Sequence, residues 1–197
     1  MTLTALLRTG EWTNPPPTHE LRDGELRLTA ERGSDFWRAT LYGFTHDSGH
    51  ALTLPADRVG SFEVDFRLDY RGLYDQAGLL LRDDESTWLK AGVEVSDGVP
   101  NVGAVVTHMH SDWSLAPVPS WQGRVVTIRA SWRAGAVTVR ARPQGDRWRT
   151  VRVAPYDVGV GTRVGLYICA PQNEGLAVAF TAVRHGPPDV DLHADPD

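Results

Sequence analysis

The chain has 197 residues, a length that one large all-β domain accommodates without division. Its formal net charge of -5 and its singly scattered arginines argue against a nucleic-acid partner, because phosphate binding needs a concentrated basic surface. No apolar run approaches the roughly 20 residues that cross a bilayer, so the sequence predicts a soluble protein without a membrane partner.

The number of cysteines indicates the cellular compartment in which the protein folds. Cys169 is the single cysteine, which excludes an intramolecular disulfide and fits a reducing environment. Residues 1–10 include a short apolar stretch, but no basic segment precedes it and no small-residue cleavage site follows. We therefore expect a cytoplasmic protein. Cys169 lies between Ile168 and Ala170 in an apolar segment, which predicts a buried and inert thiol.

Short segments rich in Val, Leu, Thr, Trp and Tyr are separated by glycine and proline, a pattern typical of antiparallel β proteins. Helical periodicity is scarce. In chain order, the predicted strands are residues 25–29, 36–41, 60–70, 76–83, 87–96, 101–110, 125–130, 136–142, 147–153, 163–170 and 176–185. So many short strands exceed one flat sheet, and they predict an all-β sandwich of two packed antiparallel sheets, or jelly roll.

Alternation is clearest over residues 62–69, where apolar and charged side chains take turns. One face of this strand is expected to pack and the other to meet water. Residues 136–142 and 147–153 flank the turn-forming sequence Pro-Gln-Gly-Asp, which predicts a hairpin. We expect residues 1–185 to form a single domain. Residues 186–197 are acidic and Pro-rich, and we expect them to be a disordered tail.

The candidate site comes from the alternation in residues 76–83 and 87–96. If their apolar side chains face the core, Gln76, Arg82, Trp88, Lys90 and Glu94 gather on the outer face of one sheet. Gly78 and Gly92 interrupt that face, which suggests a groove. Aromatic rings beside carboxylate, amide and cationic groups suit sugars. The predicted ligand-binding residues are Arg38, Tyr42, Tyr74, Gln76, Arg82, Trp88, Lys90, Glu94 and His108.

Ordinary structural roles compete with this interpretation. Lys90 and Glu94 can be a solvated charge pair that contributes little to stability. Tryptophans such as Trp37, Trp88 and Trp113 more often pack in cores or at edges than serve as stacking platforms. Only the clustering of these residues on one face favours a site.

Metal binding has weak support. His46 and His50 are close in sequence, and His108 and His110 are expected to share one strand face, so their imidazoles could converge on an ion. No carboxylate or third ligand accompanies either pair at a fixed spacing. We predict no metal and no cofactor, with the histidines in turns or at the surface.

Glycoside hydrolysis would need two carboxylates on opposite sides of the scissile bond. Glu94 is one candidate acid or base, and Asp35, Asp75 or Asp112 could be its partner. Lys90 or His108 would then lower the proton affinity of a neighbour or hold an anion. These three, Glu94, Lys90 and His108, are the catalytic candidates.

Known hydrolase signatures are missing. Sandwich hydrolases carry a Glu-x-Asp-x-x-Glu strand, whereas here Glu63 and Asp65 are followed by Leu68 at the last position. A Gly-x-Ser-x-Gly elbow, a phosphate-binding glycine loop and a dinucleotide fingerprint are likewise missing from the sequence. Whether the protein is an enzyme stays open on the sequence.

Six motifs follow one another along the chain: DFWR (35–38), YGF (42–44), DSGH (47–50), YDQAGLLLR (74–82), WLKAGVE (88–94) and VVTHMHSDWS (105–114). In this order they resemble the DUF1349 family, whose members are also called regulation-of-enolase-like proteins. The resemblance runs roughly from Trp12 to His185. It implies a concanavalin A-like lectin/glucanase sandwich, a superfamily that includes sugar-binding proteins and glucanases. It transfers a fold and no activity.

The resemblance also marks further positions. Besides the ligand-binding residues above other than His108, these include Asp35, Trp37, His50, Asp75, Thr107, Ser111, Asp112 and Trp113. Asp35, Asp75 and Asp112 lie at strand ends, where aspartate commonly caps backbone groups, so we expect some of them to brace loops.

Three functions stay open. The leading hypothesis is a carbohydrate-binding-type module that presents its concave sheet to a small polyhydroxylated ligand, a sugar or glycan. The second is a saccharide-acting hydrolase or lyase that uses Glu94. The third is a regulatory protein–protein interaction domain, and its edge strands could also pair in a homodimer.

Overall fold

Residues 1–196 are described by the computed structural model, and in them two seven-stranded antiparallel sheets are accompanied by one two-stranded hairpin. We call the two large sheets the front and the back sheet. In spatial order, the front sheet consists of β1 (Glu11–Thr13), β6 (His50–Pro55), β15 (Arg163–Cys169), β8 (Gln76–Arg82), β9 (Thr87–Ser96), β10 (Val99–His108) and β11 (His110–Pro117).

The back sheet and the small hairpin complete the fold. In spatial order, the back sheet consists of β14 (Arg149–Pro155), β13 (Ala136–Pro143), β12 (Val125–Arg133), β7 (Gly60–Arg67), β16 (Ala177–Gly186), β3 (Glu25–Thr29) and β2 (Thr18–Arg22). The hairpin joins β4 (Phe36–Arg38) to β5 (Thr45–Asp47). The predicted two-sheet antiparallel sandwich is confirmed.

The core lies between the two large sheets, where alternation directs one side of each strand inward. Phe62, Val64 and Phe66 of β7 are fully buried there, and they face Leu79 and Leu81 of β8 in the same cluster. Each of these side chains contributes about 1.5–3 kcal/mol when it leaves water. The predicted facing of both segments is therefore correct.

A short helix that the sequence did not reveal closes part of this core. Helix α1 spans Leu3–Thr9, and the backbone N–H of Ala5 donates to the Thr2 hydroxyl, 3.1 Å away, at its N-cap. Leu3 and Leu6 are buried against the core. A seven-residue helix has too few turns for a clear period in the sequence. Within residues 1–196, this helix is too short to cross a bilayer.

Two of the predicted strands end early because the backbone turns at residues with positive φ. The segment 101–110 was expected to be one strand, but it bends at Met109 (φ 65°) and continues as β11. His108 and His110 are therefore opposite each other on neighbouring strands and not on one strand. Similarly, β4 ends at Arg38 because Ala39 has φ 60°.

The outer face of β7 was expected to be exposed to water, but other side chains largely cover it. Glu63 is flanked in register by Arg129 of β12 and Arg184 of β16, and its carboxylate lies 2.7 and 2.5 Å from their guanidinium groups. Arg184 also pairs with Asp65 at 2.5 Å. Both carboxylates are buried as a result. Alternation places these residues correctly on the outer face, but the arginines cover them.

The chain after β16 lies across the same face of the back sheet. We call residues 187–196 the C-terminal segment. The carboxylate of Asp189 reaches Arg129 at 2.7 Å and Arg140 at 3.2 Å. Arg140 is buried and also donates to the carbonyl oxygens of Asp191, Leu192 and Ala194. From their composition, residues 186–197 were expected to be a disordered tail. In the structure, Asp189, Asp191, Leu192 and Ala194 contact these two arginines.

Replacing Arg140 by methionine is expected to release the C-terminal segment. The variant loses the ion pair with Asp189 and the hydrogen bonds to three carbonyls, and bonds from a charged donor contribute about 1.5–3 kcal/mol each. Hydrogen exchange of the backbone amides of residues 189–195 should accelerate by tenfold or more. Arg133→Met is the matched control, because Arg133 is exposed and donates one bond to the carbonyl of Val190. Equal protection in both variants would contradict this role of Arg140.

Candidate functional site

The outer face of the front sheet is half covered by the protein itself. Phe36 of β4 lies on this face, with its ring centroid 6.0 Å from that of Trp88 and 6.4 Å from that of Tyr167. Together with Leu80 and Cys169 they belong to a second, smaller apolar cluster. Cys169 is fully buried, as its apolar neighbours predict, and burial raises the pKa of its thiol. One end of the expected groove is thus filled by apolar side chains of the protein.

Three predicted ligand-binding residues are not available to a ligand, because they are buried by the β4–β5 hairpin, contact it or belong to it. Trp88 is only 1 % exposed, so its ring offers no surface for stacking. Arg82 forms a two-pronged ion pair with Asp47, at 2.6 and 2.8 Å. The backbone N–H of Arg38 donates to the Ser111 hydroxyl, and its side chain does not line the cavity described below.

His108 also lies apart from the other candidates. Its Nε2 is 3.3 Å from the carbonyl oxygen of Pro155, and its ring centroid is 5.8 Å from that of Tyr156. Pro155 is the last residue of β14 in the back sheet, Tyr156 follows it directly, and His108 does not line the cavity described below. The structure therefore separates His108 from Glu94 and Lys90, with which it was expected to act.

The uncovered end of the face holds an open cavity of about 310 Å³, which we call the front cavity. Five of the predicted residues line it: Tyr42, Tyr74, Gln76, Lys90 and Glu94. They come from β8, β9 and the segments that precede β5 and β8. Its volume is at the lower end of the range of small-molecule pockets, about 300–1,000 Å³.

A buried ion pair forms the floor of the front cavity. The ammonium group of Lys90 donates to Oδ1 of Asp35 at 2.9 Å, and Lys90 is 3 % exposed. The same oxygen accepts from the backbone N–H of Phe36 and, at 3.5 Å, from the amide of Gln76. Burial opposes the charge on Lys90, but the neighbouring acidic groups, Asp35 foremost, together outweigh it and raise the pKa of the lysine. Lys90 therefore stays charged and held in place.

Glu94 lies beside this pair with an unsatisfied oxygen. It is the register partner of Gln76, and its Oε1 is buried without a hydrogen bond from any residue in 1–196. Burial raises the pKa of Glu94 to about 7, with Lys90 lowering it and Asp35 raising it to a lesser degree. Both protonation states are thus present near neutral pH. A buried polar atom without a partner is costly, and it marks a position where a ligand can bind.

Aromatic side chains form the rim. Tyr42 and Phe44 stack with centroids 5.3 Å apart and planes 8° from parallel, and both are about half exposed. Trp37 meets Trp113 edge to face at 6.0 Å. The indole N–H of Trp37 donates to the carbonyl of Thr40, which holds the loop between β4 and β5 in place. The rim thus presents apolar ring faces above a polar floor.

Glycines on the front sheet have a different role from the expected one. A Cβ on Gly78 would lie 2.0 Å from the carbonyl oxygen of Ala91, and a Cβ on Gly92 would lie 2.1 Å from that of Ala77. The glycines are therefore required because neighbouring strands approach closely. They do not primarily provide space for a ligand.

Nine residues that line the front cavity were outside the predicted ligand-binding set. Five of them carry an aromatic, imidazole or carboxylate side chain: Asp35, Trp37, Phe44, His46 and Trp113. They come from the β4–β5 hairpin, from the turn before it and from β11. The motifs DFWR, YGF and SDW contain four of them, so the resemblance held the signal. Alternation alone could not reveal them, because it does not show which loop lies over a sheet.

The histidines do not converge. His50 is buried, accepts from the backbone N–H of Glu31 at Nε2 and has Nδ1 3.0 Å from the carbonyl oxygen of Asn14. His46 lies at the rim of the front cavity with its ring against Phe44. Within residues 1–196, no three His, Cys, Asp or Glu side chains are placed to share a metal ion.

Comparison with known proteins gives the family. The model of a protein family of unknown function, DUF1349, matches residues 12–188. "Regulation of enolase protein 1" of Saccharomyces cerevisiae is 37% identical over 175 residues, which cover 89% of this chain and 88% of that protein.

Two solved structures extend the comparison. A functionally unknown protein from Saccharomyces cerevisiae superposes with a TM-score of 0.86 at 35% identity, over 92% of this chain and 98% of that one. Lectin I-B4 from Griffonia simplicifolia superposes with a TM-score of 0.58 at 14% identity, over 91% and 93% of the two chains. The second likeness shows a common fold alone. With its two-sheet sandwich and its match over residues 12–188, the chain belongs to the DUF1349 family.

Proposed function

We propose that the front cavity binds a small polyhydroxylated ligand, a sugar or a sugar derivative. The observation that carries the proposal is the buried, unpartnered Oε1 of Glu94 beneath a rim of half-exposed aromatic rings. A sandwich of this shape also occurs in a lectin, which supports the same class of ligand.

The chemistry of the cavity matches that of a sugar. A pyranose has apolar C–H faces that stack on aromatic rings, and Tyr42, Phe44 and Trp113 offer such rings. Its hydroxyl groups donate to carboxylate oxygens, and Glu94 accepts one without losing any contact within the protein. A hydrogen bond to a charged group contributes about 1.5–3 kcal/mol.

The tryptophan at the rim provides the test of this proposal. Trp113→Ala removes one ring face and should weaken the binding of glucose, galactose or xylose about tenfold or more. Isothermal titration calorimetry measures the dissociation constants, and thermal melting verifies the fold. Trp148→Ala is the matched control, because Trp148 packs on Arg142, outside the front cavity. Sugar binding that is equal in the two variants would count against the site.

A saccharide-acting hydrolase is the second candidate function, and Glu94 supports it. A general acid works best when its pKa is near the working pH, and burial raises the pKa of Glu94 to about 7. Asp35 lines the same cavity as a second carboxylate, although Lys90 holds one of its oxygens. Turnover of aryl glycosides that disappears in Glu94→Gln would establish this reaction over simple binding.

A regulatory interaction domain is the third candidate, supported by the name of the yeast relative. The loop between β4 and β5 exposes Leu41 by 87 %, and the β10–β11 turn exposes Met109 by 56 %. Exposed apolar side chains at loop tips suit a protein partner. Enrichment of one protein by the wild-type chain and its loss with Leu41→Ser would favour this function.

A further inference from the structure

The front cavity has a particular balance of charge. Among the lysines and arginines in residues 1–196, Lys90 is the one that lines it, and its charge is balanced by Asp35 at 2.9 Å. Glu94 adds a second carboxylate. The nearby guanidinium of Arg82 is bound to Asp47 on both of its oxygens. The three charged side chains thus sum to zero when Glu94 is protonated and to -1 when it is ionised.

The floor of the cavity also offers free hydrogen-bond acceptors. Glu94 has its unpartnered Oε1, and the hydrogen bonds that Asp35 accepts from residues 1–196 on its side chain all go to Oδ1. Two of the donors in the cavity are already used, since the amide of Gln76 donates to Tyr74 and Asp35 and the indole of Trp37 donates to Thr40. The carboxylate oxygens at the floor can therefore accept from a ligand that donates.

We infer that the front cavity selects an uncharged sugar and rejects sugar phosphates and uronates. This inference rests on the proposed function and adds the ligand's charge to it. Phosphate and carboxylate groups bring only acceptors and a negative charge, and both meet Glu94 and Asp35 in a partly buried place. Hydroxyl groups donate to the same oxygens without repulsion.

The size of the discrimination follows from the distances in such a cavity. Like charges a few ångströms apart repel strongly where water is largely excluded, which corresponds to tenfold weaker binding or more. Because the carboxylates lie below the rim, salt should screen this repulsion only in part.

Matched pairs of sugars test the inference. We suggest titrating glucose against glucose 6-phosphate and glucuronate, and galactose against galacturonate, at pH 8 by calorimetry or ligand-observed NMR. We expect the uncharged sugar of each set to bind at least tenfold more tightly. Equal or tighter binding of the anions overturns the inference and leaves the proposed function intact. Binding by none of the five overturns the proposed function itself.

A variant separates charge from shape. Glu94→Gln keeps the size of the side chain and removes its charge, so the preference for glucose over glucose 6-phosphate should shrink severalfold. Asp112→Asn is the matched control, because Asp112 lies outside the front cavity and pairs with Arg152 at the surface. A preference that stays unchanged in Glu94→Gln, with melting behaviour like the wild type, assigns the discrimination to shape and overturns the electrostatic argument.

Discussion

Lys90→Met is expected to lower the free energy of unfolding by about 3–5 kcal/mol, the usual cost of removing one partner from a buried ion pair. Lys90 and Asp35 are 2.9 Å apart, with side-chain exposures of 4% and 17%. Methionine fills a similar volume, but it leaves the Asp35 carboxylate next to apolar Phe36 with only two weaker donors. The charge of Asp35 is then poorly compensated.

Urea denaturation monitored by tryptophan fluorescence measures this loss. The double variant Lys90→Met with Asp35→Asn should regain most of the stability, since it removes the charge that was left alone. Arg67→Met is the control for an exposed pair, because Arg67 is half exposed beside Glu25, and it should change the stability far less than Lys90→Met does. A similarly small loss in Lys90→Met would show that the pair contributes little.

The strands of the front sheet that alternate regularly could be predicted closely. The bounds of β9 agree with the expected segment 87–96, and its apolar side chains enter the core. The alternation of large apolar residues at every second position is a local property, so a short window of sequence reveals it. The fold class followed from many such windows.

Strands without alternation were missed. β6 (His50–Pro55) is buried over most of its length on both faces, and its sequence HALTLP is too short to show a clear alternation. β11 follows Met109, which adopts a positive φ without the glycine or asparagine that usually signals such a turn. In both cases tertiary contacts determine the structure, and a local pattern does not record them.

The candidate site could be predicted only in part, for a related reason. Gln76, Lys90 and Glu94 were grouped correctly because they share a face of two adjacent strands. Asp35 reaches Lys90 across 55 residues of sequence, and no period links them. The same hairpin covers Trp88, which removed that ring from the site. Alternation assigns a side chain to a face, but it does not reveal what lies on that face.

Gly92→Ala is expected to cost about 3 kcal/mol, at the upper end of the usual penalty for overpacking. The added Cβ would lie 2.1 Å from the carbonyl oxygen of Ala77 and 3.1 Å from the Cα of Gly78. Both are backbone atoms of the adjacent strand β8, so no rotamer change can relieve the contact. The two strands would have to separate where they carry Gln76 and Glu94, the register partners at the front cavity.

Gly159→Ala is the matched control for that substitution, because a Cβ there meets no atom within 4 Å. It should leave the melting temperature almost unchanged, or raise it slightly by restricting the unfolded chain. If Gly92→Ala is equally neutral, the close approach of β8 and β9 does not constrain the sheet, and Gly92 would instead be there to leave room for a ligand. If it destabilises as expected, any sugar bound above Gly92 rests on a part of the sheet whose geometry requires glycine.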